Sequence, residues 1–209
     1  MSMGNKKKIL VAAISACAIL SAAGITMAML SKQSQAVTNE FQGAGVNIGV
    51  LENGNLLEDE GGHGDNVQEY PKIEKDKPVQ KIVQIQNIDS EEYPTTDTYV
   101  RVRLVPIFRD ADGASVAADM SKVQYTFGNK DGLWKKEKVS GEMYYYYTKA
   151  LAPNESTSSL IEAVTYTGDV PEGTHFELQV LTEGLAASQS GALSAWGISD
   201  GFRNMENVG

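Results

Sequence analysis

The chain is short of the side chains on which many catalytic sites and covalent scaffolds are built. It has 209 residues with one cysteine, Cys17, and two histidines, His63 and His175. Cys17 lies inside an apolar N-terminal run, so the chain beyond that run has no thiol and therefore no disulfide, thiol nucleophile or thiolate metal site. Secreted domains often rely on disulfides, but many from Gram-positive bacteria do not, and an apolar leader followed by a cysteine-free chain fits that group. Basic residues are also in deficit. The net charge of −9 argues against a nucleic-acid partner, which is usually met by a basic face. Six prolines against 20 glycines suit many tight turns rather than long extended linkers.

Sequence sets that organise chemistry are missing as well. Neither histidine stands in a His-Glu-x-x-His arrangement, which places two zinc ligands on one helical face. There is no Gly-x-Ser-x-Gly elbow, P-loop or dinucleotide-binding glycine pattern. The acidic, glycine-rich stretch from Leu57 to Asn66 holds Asp59, Glu60, His63 and Asp65. Carboxylates and carbonyls suit Ca²⁺, so these four residues are a candidate calcium site, although the spacing is not that of an EF-hand; the plainer reading is a solvated loop. His175 reads as a surface or edge histidine.

The N-terminus is distinctive. Lys6, Lys7 and Lys8 precede an uncharged run from Ile9 to Leu30, the layout of a secretory signal. Thr26-Met27-Ala28 places small residues correctly for cleavage after Ala28, and Ser34-Gln35-Ala36 repeats the pattern further on. The first is preferred, giving a leader over 1–28. An uncleaved anchor is the competing reading, since about 20 apolar residues can cross a bilayer. After cleavage no stable membrane anchor is expected.

Beyond the leader, period-two alternation dominates. Val46, Ile48 and Val50 alternate with polar or small neighbours. In VQKIVQIQNI, Val79, Lys81, Val83, Ile85 and Asn87 share one parity. In TYVRVRLVPIF, Tyr99, Arg101 and Arg103 face one way and Val100, Val102 and Leu104 the other, and Pro106 is expected to end the strand or mark a sheet edge. Further strands are expected in KVQYTFG, in a hairpin turning at Ser140-Gly141, in SSLIEAVTYT and in HFELQVLTEGLAA. The segment SQSGALSAWGISDGF reads as a short helix or irregular chain. Eight or nine short strands without a competing helical period predict an all-β antiparallel sandwich over 42–209. The run Tyr144 to Tyr147 has two readings: a strand packed on both faces, or a stacking surface in which Tyr145, Tyr146 and Tyr147 meet a neighbouring subunit or a glycan.

The order of these motifs carries a resemblance. The leader, followed closely by AVTNEF and GVNIGVLEN, then KIVQIQN, YVRVRLVP, YYYYTKALAPNESTSSLIEAV and FELQVLTEGLAA with a later AWG, resembles exported proteins processed by a SipW-type signal peptidase. That group includes the biofilm-matrix fibre proteins TasA and camelysin (CalY) and clostridial relatives that form biofilm pili; the clostridial branch is most similar in the tyrosine-rich strand and the AWG. The resemblance implies a jelly-roll-like sandwich that polymerises outside a Gram-positive cell. Its implied partners are further copies of itself, the signal peptidase and other matrix components; no cofactor is expected from the residues beyond the candidate Ca²⁺ loop. It also implies an arm over 29–41 that adds as a strand to the next subunit, with Val37, Asn39 and Phe41 on one face. A disordered terminus is the other reading of that arm. Camelysin relatives have carried a metalloprotease label, which makes a secreted protease one alternative, and a monomeric glycan- or protein-binding module is another.

Overall fold

A computed structural model describes residues 45–57, 72–187 and 191–209. The fold is all-β, two antiparallel sheets closed on one another as a sandwich. The strands are β1 (Ile48–Glu52), β2 (Asn55–Leu56), β3 (Val79–Asn87), β4 (Thr98–Arg109), β5 (Ser115–Val116), β6 (Val123–Phe127), β7 (Trp134–Val139), β8 (Glu142–Leu151), β9 (Ile161–Tyr166), β10 (His175–Ala186) and β11 (Glu206–Asn207). The smaller sheet runs β2-β1-β3-β9-β6, and the larger runs β10-β4-β8-β7-β11, with β5 pairing to the far end of β4.

Turn chemistry sets the register of two hairpins, β1–β2 and β7–β8. Asn53-Gly54 and Ser140-Gly141 each place two successive residues at positive φ, the geometry that matches the twist of flanking strands. The inward side chains follow the alternation of the sequence. Val46, just before β1, and Ile48, Val83, Ile85, Ile161 and Val164 of the smaller sheet meet Val100, Val102, Trp134, Tyr145, Tyr147 and Leu178 of the larger in one core. Each such aliphatic side chain contributes about 1.5–3 kcal/mol by leaving water. The sheets approach closely at Gly184 of β10, where a Cβ would lie 2.6 Å from Cγ1 of Val46, so glycine is needed there. Asn87 staples the sheets: its buried side-chain amide donates to the carbonyls of Thr96 (2.8 Å) and Leu151 (3.0 Å).

β4 continues through Pro106 to Arg109 instead of stopping there. The reason lies in the ladder. Pro106 stands opposite Leu178 of β10, in the stretch between the β8 and β5 pairings where β4 has a partner on the β10 side only. Ala187 N donates to Asp97 O at 2.7 Å in the same register. By the alternation of antiparallel bonding, odd-numbered residues of β10 bond to β4 and the Pro106–Leu178 pair does not. The missing N–H of Pro106 therefore points away from β10, where no ladder bond is lost.

The segment after β10 is partly a short 3-10 turn, Ala192–Trp196. It folds over the outer face of the larger sheet, where Ile198 and Phe202 pack with Tyr146 and, at the margin, Tyr99, Tyr144, Leu193, Trp196 and Met205.

Candidate functional site

The tyrosine run lies on β8 and is divided between two cores. Tyr145 and Tyr147 point into the sandwich, and Tyr146 points outward beneath the C-terminal segment. All three are buried, Tyr146 completely. The Tyr147 hydroxyl donates to Asp131 at 2.6 Å, and Tyr146 packs edge-on against Trp196 with ring centres 5.9 Å apart. Burial pushes the Tyr145 and Tyr146 phenols up, the Arg101 charge partly opposing the shift at Tyr146. Tyr145, Tyr146 and Tyr147 therefore pack within this chain and offer no open stacking face to a glycan or a second subunit. The strand fills both sides because each of its faces has a layer of the same chain upon it.

Arg101 sits on the outer face of β4 between two rings, its guanidinium carbon 4.5 Å from the centre of Tyr144 and 4.9 Å from that of Trp196. Its Nη2 donates to Glu183 of β10 at 2.6 Å. The arrangement follows from register: Glu183 and Tyr146 are the cross-strand partners of Arg101 on its two sides. Along the same face Arg109 holds Glu177 of β10. Burial pushes the Glu177 carboxyl up, but hydrogen bonds from Arg109 and Gln179 outweigh it and the pKa falls below the ordinary glutamate value. Both acidic residues of β10 are thus held by arginines of the neighbouring strand.

The outer side of β10 has no hydrogen-bonded strand among the described residues. From the alternation above, the backbone N–H groups of Phe176, Leu178, Val180, Thr182, Gly184 and Ala186 point toward that side. Twelve residues of edge with neither lysine nor proline lack two of the usual devices that stop strands from adding to one another. β6 forms an edge of the smaller sheet, but it is only five residues long.

His175 is exposed at the start of β10, opposite Arg109. Asp59, Glu60, His63 and Asp65 lie outside the described residues, as do Val37, Asn39 and Phe41. Among the described residues no cluster of three or more histidine, cysteine, aspartate or glutamate side chains is placed to hold a metal, and no helix is long and apolar enough to cross a membrane. Comparison with protein-family models, with curated proteins and with solved structures finds no match to this chain.

One feature of the interior was missed by sequence reasoning. Lys81 of β3 and Glu52 of the adjacent strand β1 form an ion pair on the inward side of the smaller sheet, with side-chain exposures of 9% and 8%. Lys81 stands on the inward parity of its strand, a signal present in the sequence. Its partner was hidden because it depends on cross-strand register: Glu52 pairs with Val83, one inward position along from Lys81.

Proposed function

We propose that the chain is a secreted structural subunit of an extracellular biofilm-matrix fibre or pilus, and that it polymerises head to tail by strand donation. The observation that carries this reading is the outer edge of β10, with its row of outward N–H groups and its glutamates already held by Arg101 and Arg109. An extended segment added there gains main-chain hydrogen bonds for affinity and alternate side-chain contacts for register. The arm over 29–41 matches the length of this edge, since each residue of either strand advances about 3.3 Å. Donation from one copy to the next is a heterologous contact, which does not close on itself and yields a filament. The apolar leader supplies the route out of the cell, and the acidic balance suits a protein that remains soluble until it assembles.

The test is electron microscopy of the purified mature protein beside a variant lacking residues 29–41. Fibres from the first and folded monomers from the second are expected. Fibres from both would remove the arm from the account, and monomers from both at high concentration would remove polymerisation.

A further inference from the structure

We propose that Lys81 and Glu52 condense into an internal isopeptide bond that joins β3 to β1. The inference is independent of how, or whether, the protein polymerises.

The two groups are in hydrogen-bond contact, Lys81 Nζ with Glu52 Oε1, and both are closed off inside the sandwich. Their neighbours in the inward rows are Val83 and Ile85 on β3 and Val50 on β1. Other lysine–carboxylate pairs differ in this respect. Lys75–Asp169 has side-chain exposures of 52% and 94%, and Lys149–Glu155 has 53% and 34%, so water reaches both. Two hydrated charges remain an ion pair at little cost. Two charges withdrawn from water carry a desolvation penalty that their mutual attraction often fails to offset. Conversion of the pair to one neutral amide removes both charges.

The nucleophile is of the right kind. Burial holds the Lys81 ammonium below the ordinary lysine range, opposed by the Glu52 charge, so the neutral amine is easier to reach than at the surface. The step balances within the pair. Lys81 Nζ gives a proton to the Glu52 carboxylate, and the resulting amine attacks Cδ. The tetrahedral carbon then expels its hydroxyl, which takes a second proton from Nζ and leaves as water. A C–N bond forms, a C–O bond breaks, and no oxidant or co-reactant is required. Two strands held in register fix the attacking nitrogen against one carboxyl group, and well-oriented intramolecular reactions reach effective molarities of about 10⁵–10⁸ M. The product closes a covalent loop from 52 to 81, which restricts the unfolded chain as a disulfide would, in a sequence where Cys17 is the one cysteine.

The experiment is intact-mass spectrometry of the purified folded protein, with peptide mapping, alongside Glu52→Ala and Lys81→Arg. The expected wild-type mass is below the sequence mass by one water, and one branched peptide contains both Glu52 and Lys81. Each variant is expected at its full sequence mass. Water can also be lost at aspartyl-glycine steps such as Asp131-Gly132, so the variants serve as the control. A wild-type protein at full sequence mass would overturn the proposal, as would a deficit that persists in both variants. Neither result depends on the variants folding.

Discussion

The two edges of the larger sheet end in opposite ways. At β7 the chain covers its own edge: β11 pairs Glu206 with Lys136 and Asn207 with Lys135, and Val208 N donates to Trp134 O at 3.2 Å. Asn129 completes that closure, its amide donating to Val208 O at 2.6 Å while its oxygen accepts from Trp134 N at 2.9 Å. At β10 no described strand does the same, although that edge is the longer of the two. A chain that covers its shorter edge and leaves the longer one without a described partner has an asymmetric sheet. In the proposed fibre such a sheet would grow in one direction, by strand addition at β10 and not at the covered edge of β7.

The contrast is broken most strongly at β10. Val180→Pro removes one outward N–H without removing a bond to β4. It is expected to reduce fibre yield at least about tenfold, since about 1.4 kcal/mol lost at every subunit contact is already a factor of ten in affinity. Pelleting assays would measure the loss, and an unchanged circular dichroism spectrum would show that the sandwich persists. Fibre yield equal to wild type would argue that β10 is not the accepting edge.

Next in size is removal of residues 205–209, which uncovers β7. The deletion takes Val208 from the core and leaves the Trp134 carbonyl without that donor. A loss of about 3 kcal/mol is expected in a denaturant melt, from one buried aliphatic side chain and one or two hydrogen bonds. Lateral clumping of the fibres is expected to follow, as a second edge becomes available. Asn129→Ala is the milder version. It strands Trp134 N and Val208 O and should cost about 1–3 kcal/mol.

The smallest effect is on pH. Asp131 lies beside the closed edge and accepts from Leu133 N (3.0 Å), the Tyr147 hydroxyl and the Ser158 hydroxyl (2.9 Å). Burial pushes its carboxyl up, but these hydrogen bonds outweigh it, and its pKa sits below the ordinary aspartate value. A carboxyl with a depressed pKa in the folded state adds stability above its unfolded value and loses it as pH falls through the folded one. Acid should therefore loosen this turn, and Asp131→Asn should flatten the acid limb of a melting-temperature profile. An unchanged acid limb would show that the turn does not depend on the charge.

Much of the sandwich was legible because strands with one buried face write their alternation into the sequence. β3, β4 and β10 read directly in this way, and the Ser140-Gly141 turn announced its hairpin. The two-residue strands β2, β5 and β11 did not, because pairing defines them and composition does not. Pro106 marked an unpaired stretch of β4 but not the end of the strand, since only one side of β4 is bonded at that point. The tyrosine run could not be assigned from sequence, because the layer over Tyr146 comes from the weakly patterned segment around Trp196 and Phe202. For the same reason the Arg101 clamp and the Lys81–Glu52 pair were out of reach: each needs a register between distant strands that no local pattern records.

The central claim is that the outer edge of β10 receives a strand from the next subunit. Hydrogen exchange of backbone amides in assembled and monomeric protein tests it most directly. Strong protection of Phe176, Leu178, Val180 and Thr182 in the fibre, with fast exchange of the same amides in the monomer, is the predicted result. Equal exchange of these amides in both states would contradict it.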